Sequence, residues 1–279
     1  MAKQFKIGDM DVIVLLDGIG RAPGPMYFQG TTPEQWEPHK RWLDHAGNVE
    51  FPFTCYLVMA GDRKVLIDTG LGPVSMFGFT GGDLLTDLAT TGIKPEDIDS
   101  VFLTHLHVDH CGNVALPQDG KPLKLAFPNA ELRWSQAEQD YWHSEELRRD
   151  VPRDAFPRDE FFTAVEPRFK PIEDGESLAS GITVMATPGH TPGHAAVVLS
   201  SGDQRAFILG DAISCPVQLE EPEWSGLGDF DKALARRTQE AVLREAEGDG
   251  SLLTASHFPG LTFGRVLTGE GKRYWQPND

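Results

Sequence analysis

Three histidines and one aspartate stand within the six residues from His105 to His110, in the pattern H-x-H-x-D-H. The short apolar run at residues 100–103 precedes them and predicts a buried strand. Side chains that follow the end of a strand lie on a loop that a rigid sheet holds in place. The fold must therefore present several metal-binding side chains at one edge of a sheet.

The spacing of these four side chains indicates two metal ions. His105 and His107 are two residues apart, so in extended backbone they point the same way and can bind one ion. Asp109 and His110 follow after the chain has begun to turn, so they can bind a second ion nearby. Imidazole and carboxylate without thiolate favour Zn²⁺, with Mn²⁺, Fe²⁺ or Co²⁺ as other occupants. A polar turn with hydrogen-bonded histidines is the alternative without metal.

Three further metal-binding side chains each follow a predicted strand later in the chain. They are His190, Asp211 and His257. The apolar runs before them end near residues 186, 209 and 254. A sandwich of two sheets would collect such side chains along one rim, so these three are candidate ligands alongside the first four.

Charge and length limit the class of partner. The chain has 279 residues and a formal net charge of -17, from 42 acidic and 25 basic residues. A surface of this sign repels DNA and RNA, so a nucleic-acid partner is disfavoured and a small-molecule substrate is expected. A content of 40% hydrophobic residues is ample for a packed core.

The cysteines and the apolar runs bear on location. Three cysteines, an odd number at no repeated spacing, favour a reducing compartment over a disulfide framework. The first residues lack the apolar stretch of a signal peptide, and no run approaches 18 apolar residues. We therefore expect a cytoplasmic protein without a membrane span.

Short apolar runs bounded by Gly, Pro and Asp dominate the chain and predict strands. The predicted strands are residues 12–16, 55–59, 65–67, 101–103, 182–185, 195–199 and 206–209. The predicted helices are residues 84–89, 135–147, which begins with a Ser-x-x-Glu capping box, and 230–247. Many strands with few helices between them favour two sheets packed face to face with helices outside, rather than a regular βαβ repeat.

Two long segments interrupt this pattern within what we predict to be a single domain, residues 1–279. Residues 21–53 are rich in Pro, Trp and Phe with few periodic apolar positions. Such an excursion is often a lid or an oligomer contact, and a loop that covers the core is the alternative. Residues 121–169 form a second, polar and Pro-rich insertion that contains a helix.

The order of these motifs, with the sequence LIDTG at residues 66–70 upstream, closely resembles the metallo-β-lactamase superfamily of hydrolases. The resemblance runs from about Thr54 to His257. It implies an α+β fold, a four-layer αββα sandwich in which two mixed β-sheets pack face to face, with the metal site on one edge of the sheets.

The same resemblance assigns roles to the candidate ligands. The first metal would take His105, His107 and His190, and the second would take Asp109, His110 and His257. Asp211 would bridge both ions. Asp68 resembles the family's buried carboxylate that holds ligands by hydrogen bonds, and His194 would be a supporting group rather than a ligand.

Departures from family patterns narrow the activity. Asp211 stands where the β-lactam-hydrolysing branch often has Cys, which disfavours β-lactam hydrolysis. The chain looks most like the methyl parathion hydrolase and lactonase groups. Acyl-homoserine lactonases, however, often place a Tyr three residues after the bridging Asp, where this chain has Ser214. The expected substrate is therefore a lactone, an ester or a similar small molecule.

The expected mechanism needs no Ser or Cys nucleophile. Two ions about 3.5–4 Å apart can hold a hydroxide that attacks the substrate, while one ion polarises the substrate oxygen. Asp109 and Asp211 are the candidates to steer or accept the proton. Organophosphate triester and thioester hydrolysis are alternatives. An iron-dependent dioxygenase or redox protein, and a binding protein without catalysis, are alternatives of another class.

The pocket is expected to be lined by loops around the metal rim. The candidates for substrate binding are Phe77, Phe79, Trp36, Trp42 and Ser214. Ordinary core packing is the alternative for these aromatic residues. Cys111 and Cys215 stand next to metal motifs, so a thiolate ligand is a further alternative to burial as small apolar groups. The sequence also leaves open the formation of a homodimer.

Overall fold

The structure is a computed structural model that describes residues 3–76, 78–144, 147 and 159–278. The strands are β1 (Lys3–Ile7), β2 (Met10–Pro23), β3 (Asn48–Ala60), β4 (Arg63–Ile67), β5 (Ser75–Met76), β6 (Phe79–Thr80), β7 (Ser100–Phe102), β8 (Ala115–Gln118), β9 (Lys121–Leu125), β10 (Glu131–Arg133), β11 (Ser177–Ala179), β12 (Ile182–Ala186), β13 (Ala195–Ser201), β14 (Gln204–Ile208), β15 (Leu252–Thr254), β16 (Gly264–Gly269) and β17 (Lys272–Pro277).

Helices lie between these strands and around them. The α-helices are α1 (Gly24–Tyr27), α2 (Pro33–Trp36), α3 (Leu84–Thr90), α4 (Val108–Cys111), α5 (Gln136–His143), α6 (Asp159–Val165), α7 (Val217–Glu220) and α8 (Lys232–Asp249). Short 3₁₀ helices cover Glu37–Trp42 and Pro95–Asp97. Within the described ranges, none of the helices has the length and apolar character needed to cross a bilayer.

Two mixed sheets carry the fold. The first has the strand order β10-β7-β4-β3-β2-β6-β5, with β1 also paired to β2. The second has the order β11-β12-β13-β14-β15-β16-β17. The pairs β10–β7, β4–β7 and β14–β15 are parallel, and the other pairs in these two sheets are antiparallel. Strands β8 and β9 form a separate hairpin.

Alternate residues of the central strands are buried on opposite faces, which creates four layers. On β2, Val12 and Val14 pack in the apolar cluster between the two sheets, whereas Ile13 and Leu15 pack against Leu88 and other helical residues outside the first sheet. A third cluster covers the outer face of the second sheet with α8. Strands buried on both faces need apolar residues at consecutive positions, which explains the continuous runs. The predicted αββα sandwich is confirmed.

The two long segments contain more regular structure than the sequence indicates. Strand β2 continues to Pro23 and β3 begins at Asn48, so only residues 24–47 of the expected excursion lie outside the sheet. Their strand portions were not recognised because residues 17–23 include three glycines or prolines and pair across a register shift near Ile19. The segment 121–169 supplies β10, which pairs with β7. The assignment of the whole chain to one domain stays a prediction.

The predicted start of one helix has the N-cap that the sequence indicates. Ser135 accepts a hydrogen bond from the backbone N–H of Glu138 at the start of α5. Helix α5 ends at His143, before the predicted end at residue 147. Residues 145 and 146 lie outside the described residues. Helix α8 begins two residues later than expected, because Asp231 acts as its N-cap and accepts from the N–H of Leu234.

Candidate metal centre

The candidate ligands meet where strands from both sheets end at one rim. The segment from His105 to His110 follows β7 of the first sheet, and its last residues form the one-turn helix α4. His190, Asp211 and His257 follow β12, β14 and β15 of the second sheet. The structure thus brings together all seven side chains that the sequence points to, although they span more than 150 positions of the chain.

One set of three imidazoles converges at His107. Its Nδ1 lies 2.8 Å from Nε2 of His105 and 2.9 Å from Nε2 of His190. The three nitrogens belong to a group whose members all lie within 4.8 Å of one another. These are the three residues expected for the first ion.

The second set lies beside the first, with Asp211 between them. Nε2 of His110 and Nε2 of His257 lie 3.4 and 3.2 Å from Oδ1 of Asp211. The other carboxylate oxygen, Oδ2, lies 3.4 Å from Nε2 of His190 in the first set. Asp109 completes the second set, with Oδ2 at 3.5 Å from His257 Nε2. The carboxylate of Asp211 therefore faces both sets with one oxygen each.

These separations fit divalent ions. Two ligand atoms that bind one Zn²⁺ ion tetrahedrally at about 2.0–2.1 Å are separated by about 3.3 Å, and the separations in both sets are close to that value. Two buried polar atoms of the described residues that have no hydrogen-bond partner also lie here, namely Nε2 of His110 and Oδ1 of Asp211. Buried polar atoms are rarely left without a partner. A bound cation would be a partner for both of these atoms.

The imidazoles are oriented by hydrogen bonds on their other nitrogen. Nδ1 of His110 donates to Asp68 at 2.8 Å, Nδ1 of His190 donates to Asp229 at 2.9 Å, and Nδ1 of His257 donates to the Pro52 carbonyl at 2.9 Å. Each bond places a proton on Nδ1 and turns Nε2 toward the cluster. Orientation of this kind is typical of metal-binding histidines.

Asp68 and His194, the two expected supporting residues, are buried beside the candidate ligands. Asp68 receives hydrogen bonds from Thr104, His110 and Ser256, and so connects both sheets beneath the cluster. Its φ of 57° is in the left-handed region, a strained conformation for a non-glycine residue. His194 accepts from the N–H of Asp211 through Nε2 and contacts Thr187 through Nδ1. Both of its nitrogens are thus engaged, which leaves no lone pair for a metal.

Burial and charge set the protonation of the cluster. Burial lowers the pKa of His105 and of His107 well below the usual range, so both rings are neutral, the form that binds metal. Burial acts to raise the pKa of Asp211, but the imidazoles of His257 and His110 outweigh it, and the pKa lies well below its usual value. The side chain between the two sets is therefore a carboxylate anion.

Three buried carboxylates support the site without having been recognised in the sequence. Asp229 accepts from His190 and, through Oδ2, from the N–H of Gly226. Asp17 accepts from the N–H groups of Gly72, Gly82 and Leu84 and from Asn113. Glu138 accepts from the N–H groups of Leu106 and Gly193 and from Thr191 and Trp142. Glu138 therefore joins the two ligand loops.

The sequence signal for Glu138 was misleading. The capping-box pattern assigns its carboxylate to the N-cap of α5, but the side chain is fully buried and turned toward the ligand loops. Burial raises the pKa of this carboxyl group despite its hydrogen bonds. For Asp229 the only available signal was an acidic residue among glycines at residues 226–231.

The residues expected to bind substrate are distributed unevenly. Ser214 is buried three residues beyond Asp211, and Phe79 packs beside Phe51 and Phe53, whose rings lie about 6 Å from His257. Trp36, within the excursion, is buried against Phe28 and Trp224. Trp42 donates to Glu220 and lines a cavity of about 90 Å³ with His257 and Cys215. Phe77 lies outside the described residues.

The cysteines are not in the ligand groups found among the described residues. All three are free and buried. The thiol of Cys111 points to the carbonyl of Leu106 at 3.7 Å, and burial raises its pKa well above the usual range. Burial raises the pKa of Cys215 to about 12. The geometry thus favours small buried groups over thiolate ligands.

The cluster is least buried at His107 and Asp109, which are both half-buried. We define the mouth as Met26, Tyr27, Leu227 and Phe230. Met26, Leu227 and Phe230 are 60%, 50% and 62% exposed, which is unusual for large apolar side chains. The loop that carries the last two is tied to the cluster, because Asp229 binds His190 and Phe230 N–H donates to the His190 carbonyl. A Cβ on Gly228 would lie 2.8 Å from the His190 ring.

Comparisons with known proteins agree with this geometry. A family model described as the metallo-beta-lactamase superfamily matches residues 49–257. An N-acyl homoserine lactonase of Bacillus cereus is 25% identical over 221 residues, 71% of this chain and 80% of the relative. A similar lactonase of a Bacillus species is 26% identical over 219 residues, 71% of this chain and 79% of the relative.

Two solved structures superpose on essentially the whole chain. One is AidC, a dizinc quorum-quenching lactonase in complex with the product N-hexnoyl-L-homoserine, with a TM-score of 0.86 and 24% identity. The other is the hydrolase AbOPH of the beta lactamase superfamily, with a TM-score of 0.85 and 27% identity. Each covers 100% of this chain and 97% of its own. The likeness to the first concerns the fold alone.

Proposed function

Because the chain belongs to the metallo-beta-lactamase superfamily of hydrolases, we propose that it is a two-metal hydrolase that cleaves a lactone or a related ester of an uncharged small molecule. One observation carries this proposal: the two oxygens of Asp211 face two separate sets of donors at 3.2–3.4 Å. The proposed ligands are the seven residues of the cluster, with zinc as the metal. The Bacillus lactonase relatives support the choice of bond.

The proposed chemistry divides the work between the cluster residues. Divalent ions bound here would lower the pKa of a water molecule and polarise the substrate oxygen. Asp109 has a side chain that is 24% exposed, against 5% for Asp211, so it is the carboxylate that faces the mouth. Asp109 is therefore the residue placed to take a proton from the attacking water. Asp211 is buried and ionised, and holds the two halves of the cluster together.

The surroundings favour an uncharged substrate with an apolar part. The exposed side chains of Met26, Leu227 and Phe230 offer an apolar surface beside the cluster. The net charge of -17 repels anions approaching the protein. An acyl or aryl group that covers this surface would gain about 25 cal/mol of favourable free energy for each square ångström of apolar area that it buries.

The test is a substrate screen of purified protein whose metal content has been measured. Lactones, aryl esters, thioesters, phosphotriesters and β-lactams are assayed with the metal-loaded protein, with the chelated protein and after metal is restored. We expect lactones or esters to have the highest kcat/KM and chelation to abolish the activity. Preference for phosphotriesters or thioesters would move the substrate class, and activity that survives complete removal of metal would overturn the proposal.

An iron-dependent redox activity is tested by the same preparation. Zinc sites are colourless, whereas ferric sites absorb visible light, so the metal analysis is paired with an absorption spectrum of protein purified without added metal. Hydrolysis by the zinc-loaded protein in the absence of oxygen supports the proposal. Oxygen consumption with iron alone, without hydrolysis, would replace it with a dioxygenase or redox function.

A further inference from the structure

Tyr27 brings a phenol to the metal cluster from the N-terminal excursion. The residue ends α1, a single turn that packs against the buried Trp36, where a Cβ on Gly24 would lie 2.4 Å from the indole. The Tyr27 ring lies 4.4 Å from the ring of Phe51, and Phe51 in turn lies 5.8 Å from the ring of His257. These contacts fix the position of the ring, and the ring in turn fixes the position of the hydroxyl.

The surroundings of the Tyr27 hydroxyl belong to the site. A Cβ on Gly226 would lie 3.3 Å from the phenol oxygen, so the backbone of the mouth loop lies against it. The Ser214 side chain and the charges of Asp211, Asp229 and Asp109 all influence the pKa of the phenol. Tyr27 itself is only partly buried, so part of its surface stays open to solvent.

We propose that Tyr27 is a catalytic residue whose hydroxyl donates a hydrogen bond to the substrate oxygen on which negative charge develops during hydrolysis. This rests on the hydrolase function proposed above. A neutral phenol offers one O–H, and a donor preorganised beside the reacting atoms stabilises the transition state more than the ground state. Burial raises the pKa of Tyr27, so the proton needed for donation is present.

A structural role for the hydroxyl alone accounts less well for these contacts. The ring already packs against Phe51 and Phe28, at 4.4 and 4.9 Å, and this packing needs no oxygen. The hydroxyl instead lies against the loop at Gly226, three residues before the Asp229 that binds His190. Ser214 is then the candidate positioning residue for this phenol, because its side chain is near enough to influence the Tyr27 pKa.

The test is Tyr27→Phe, which removes the hydroxyl and keeps the ring. We expect kcat to fall about 100-fold with bound metal and thermal midpoint unchanged, because loss of one oxyanion donor costs about that much. Ser214→Ala should lower kcat by less than Tyr27→Phe does. Tyr274→Phe on β17 is the matched control and should leave kcat unchanged.

Two further measurements make the outcome specific. In a series of esters with one acyl group and alcohols of increasing acidity, a loss that grows for poorer leaving groups assigns the bond to the leaving oxygen, and a constant loss assigns it to the carbonyl oxygen. Calorimetric binding of a monoalkyl phosphonate, a tetrahedral analogue, should be roughly tenfold weaker in metal-loaded Tyr27→Phe.

The binding experiment separates this proposal from the hydrolase function. Wild-type protein that hydrolyses no lactone or ester would contradict the proposed function, while weaker phosphonate binding by Tyr27→Phe would still support the donor role. Wild-type activity together with unchanged kcat and unchanged phosphonate affinity in the variant would overturn the role of Tyr27 and leave the hydrolase function standing.

Discussion

The metal-ligand cluster and the mouth lie side by side but are built in opposite ways. In the cluster, His110, His190 and His257 are buried, and each is fixed by a hydrogen bond to a carboxylate or a carbonyl group. In the mouth, Leu227 and Phe230 expose half or more of their surface. The sheets and their supporting carboxylates therefore fix the candidate ligands, whereas short loops form the apolar surface beside them.

The largest expected effect comes from breaking the cluster. His105→Ala or Asp211→Asn should lower hydrolysis by at least about 1,000-fold, because the loss of Lewis-acid stabilisation is worth several kcal/mol. Bound metal should fall below about two ions per chain. Asp203→Asn, on the exposed turn between β13 and β14, is the control. Full activity in either cluster variant would contradict a two-metal mechanism.

The next largest effect should come from the support beneath the cluster. Both oxygens of Glu138 accept from donors only, so the NH₂ group of Glu138→Gln would face at least two N–H or O–H groups. Chemical denaturation should show a loss of about 2–4 kcal/mol in the free energy of unfolding. The control is Asp140→Asn, which is exposed on the same helix and should change little. Equal stability of the two variants would contradict this account.

Asp229 tests whether the cluster and the mouth are separable at all, since it binds His190 and holds the mouth loop through Gly226. Asp229→Asn weakens the acceptor for the imidazole and places a donor opposite a backbone N–H. Metal affinity or kcat should fall by about 10- to 100-fold. KM should change in the same variant. A change in KM with unaltered metal affinity would show that the loop, rather than the ligand, depends on this residue.

The smallest effect is expected at the mouth. Phe230→Ala should raise KM for esters or lactones with long acyl groups by up to about tenfold, the size expected for removing one partly exposed aromatic contact. Metal content and kcat for a short substrate should stay unchanged. Leu267→Ala, another exposed apolar side chain on β16, is the control. A fall in bound metal for Phe230→Ala would mean that the mouth also supports the cluster.

The fold was largely predictable, because its strands are buried on both faces. Continuous apolar runs such as those of β4 and β14 need no knowledge of their partners to be recognised. The strand portions near Ile19 and Phe51 were missed, since glycine, proline and a register shift hide the period. Helix α5 was predicted through Ser135, whose role depends only on local geometry.

The site was predictable only in part for a related reason. His105 to His110 form a local pattern, and the later ligands follow recognisable strands. Glu138, Asp229 and Tyr27 instead acquire their roles from contacts with residues more than 30 positions away. No local pattern encodes such contacts. The cytoplasmic location and a homodimer stay predictions.

The origin of the ligands in both sheets has a consequence for the lifetime of the protein. His105 to His110 follow a strand of one sheet, and His190, Asp211 and His257 follow strands of the other. Ions bound between them would join the two halves of the sandwich, as a covalent cross-link would. A ligand present at 1,000 times its dissociation constant adds about 4 kcal/mol to the stability of the native state. Metal scarcity in a cell would thus expose the chain to proteases, so that turnover of the enzyme follows the supply of its ions.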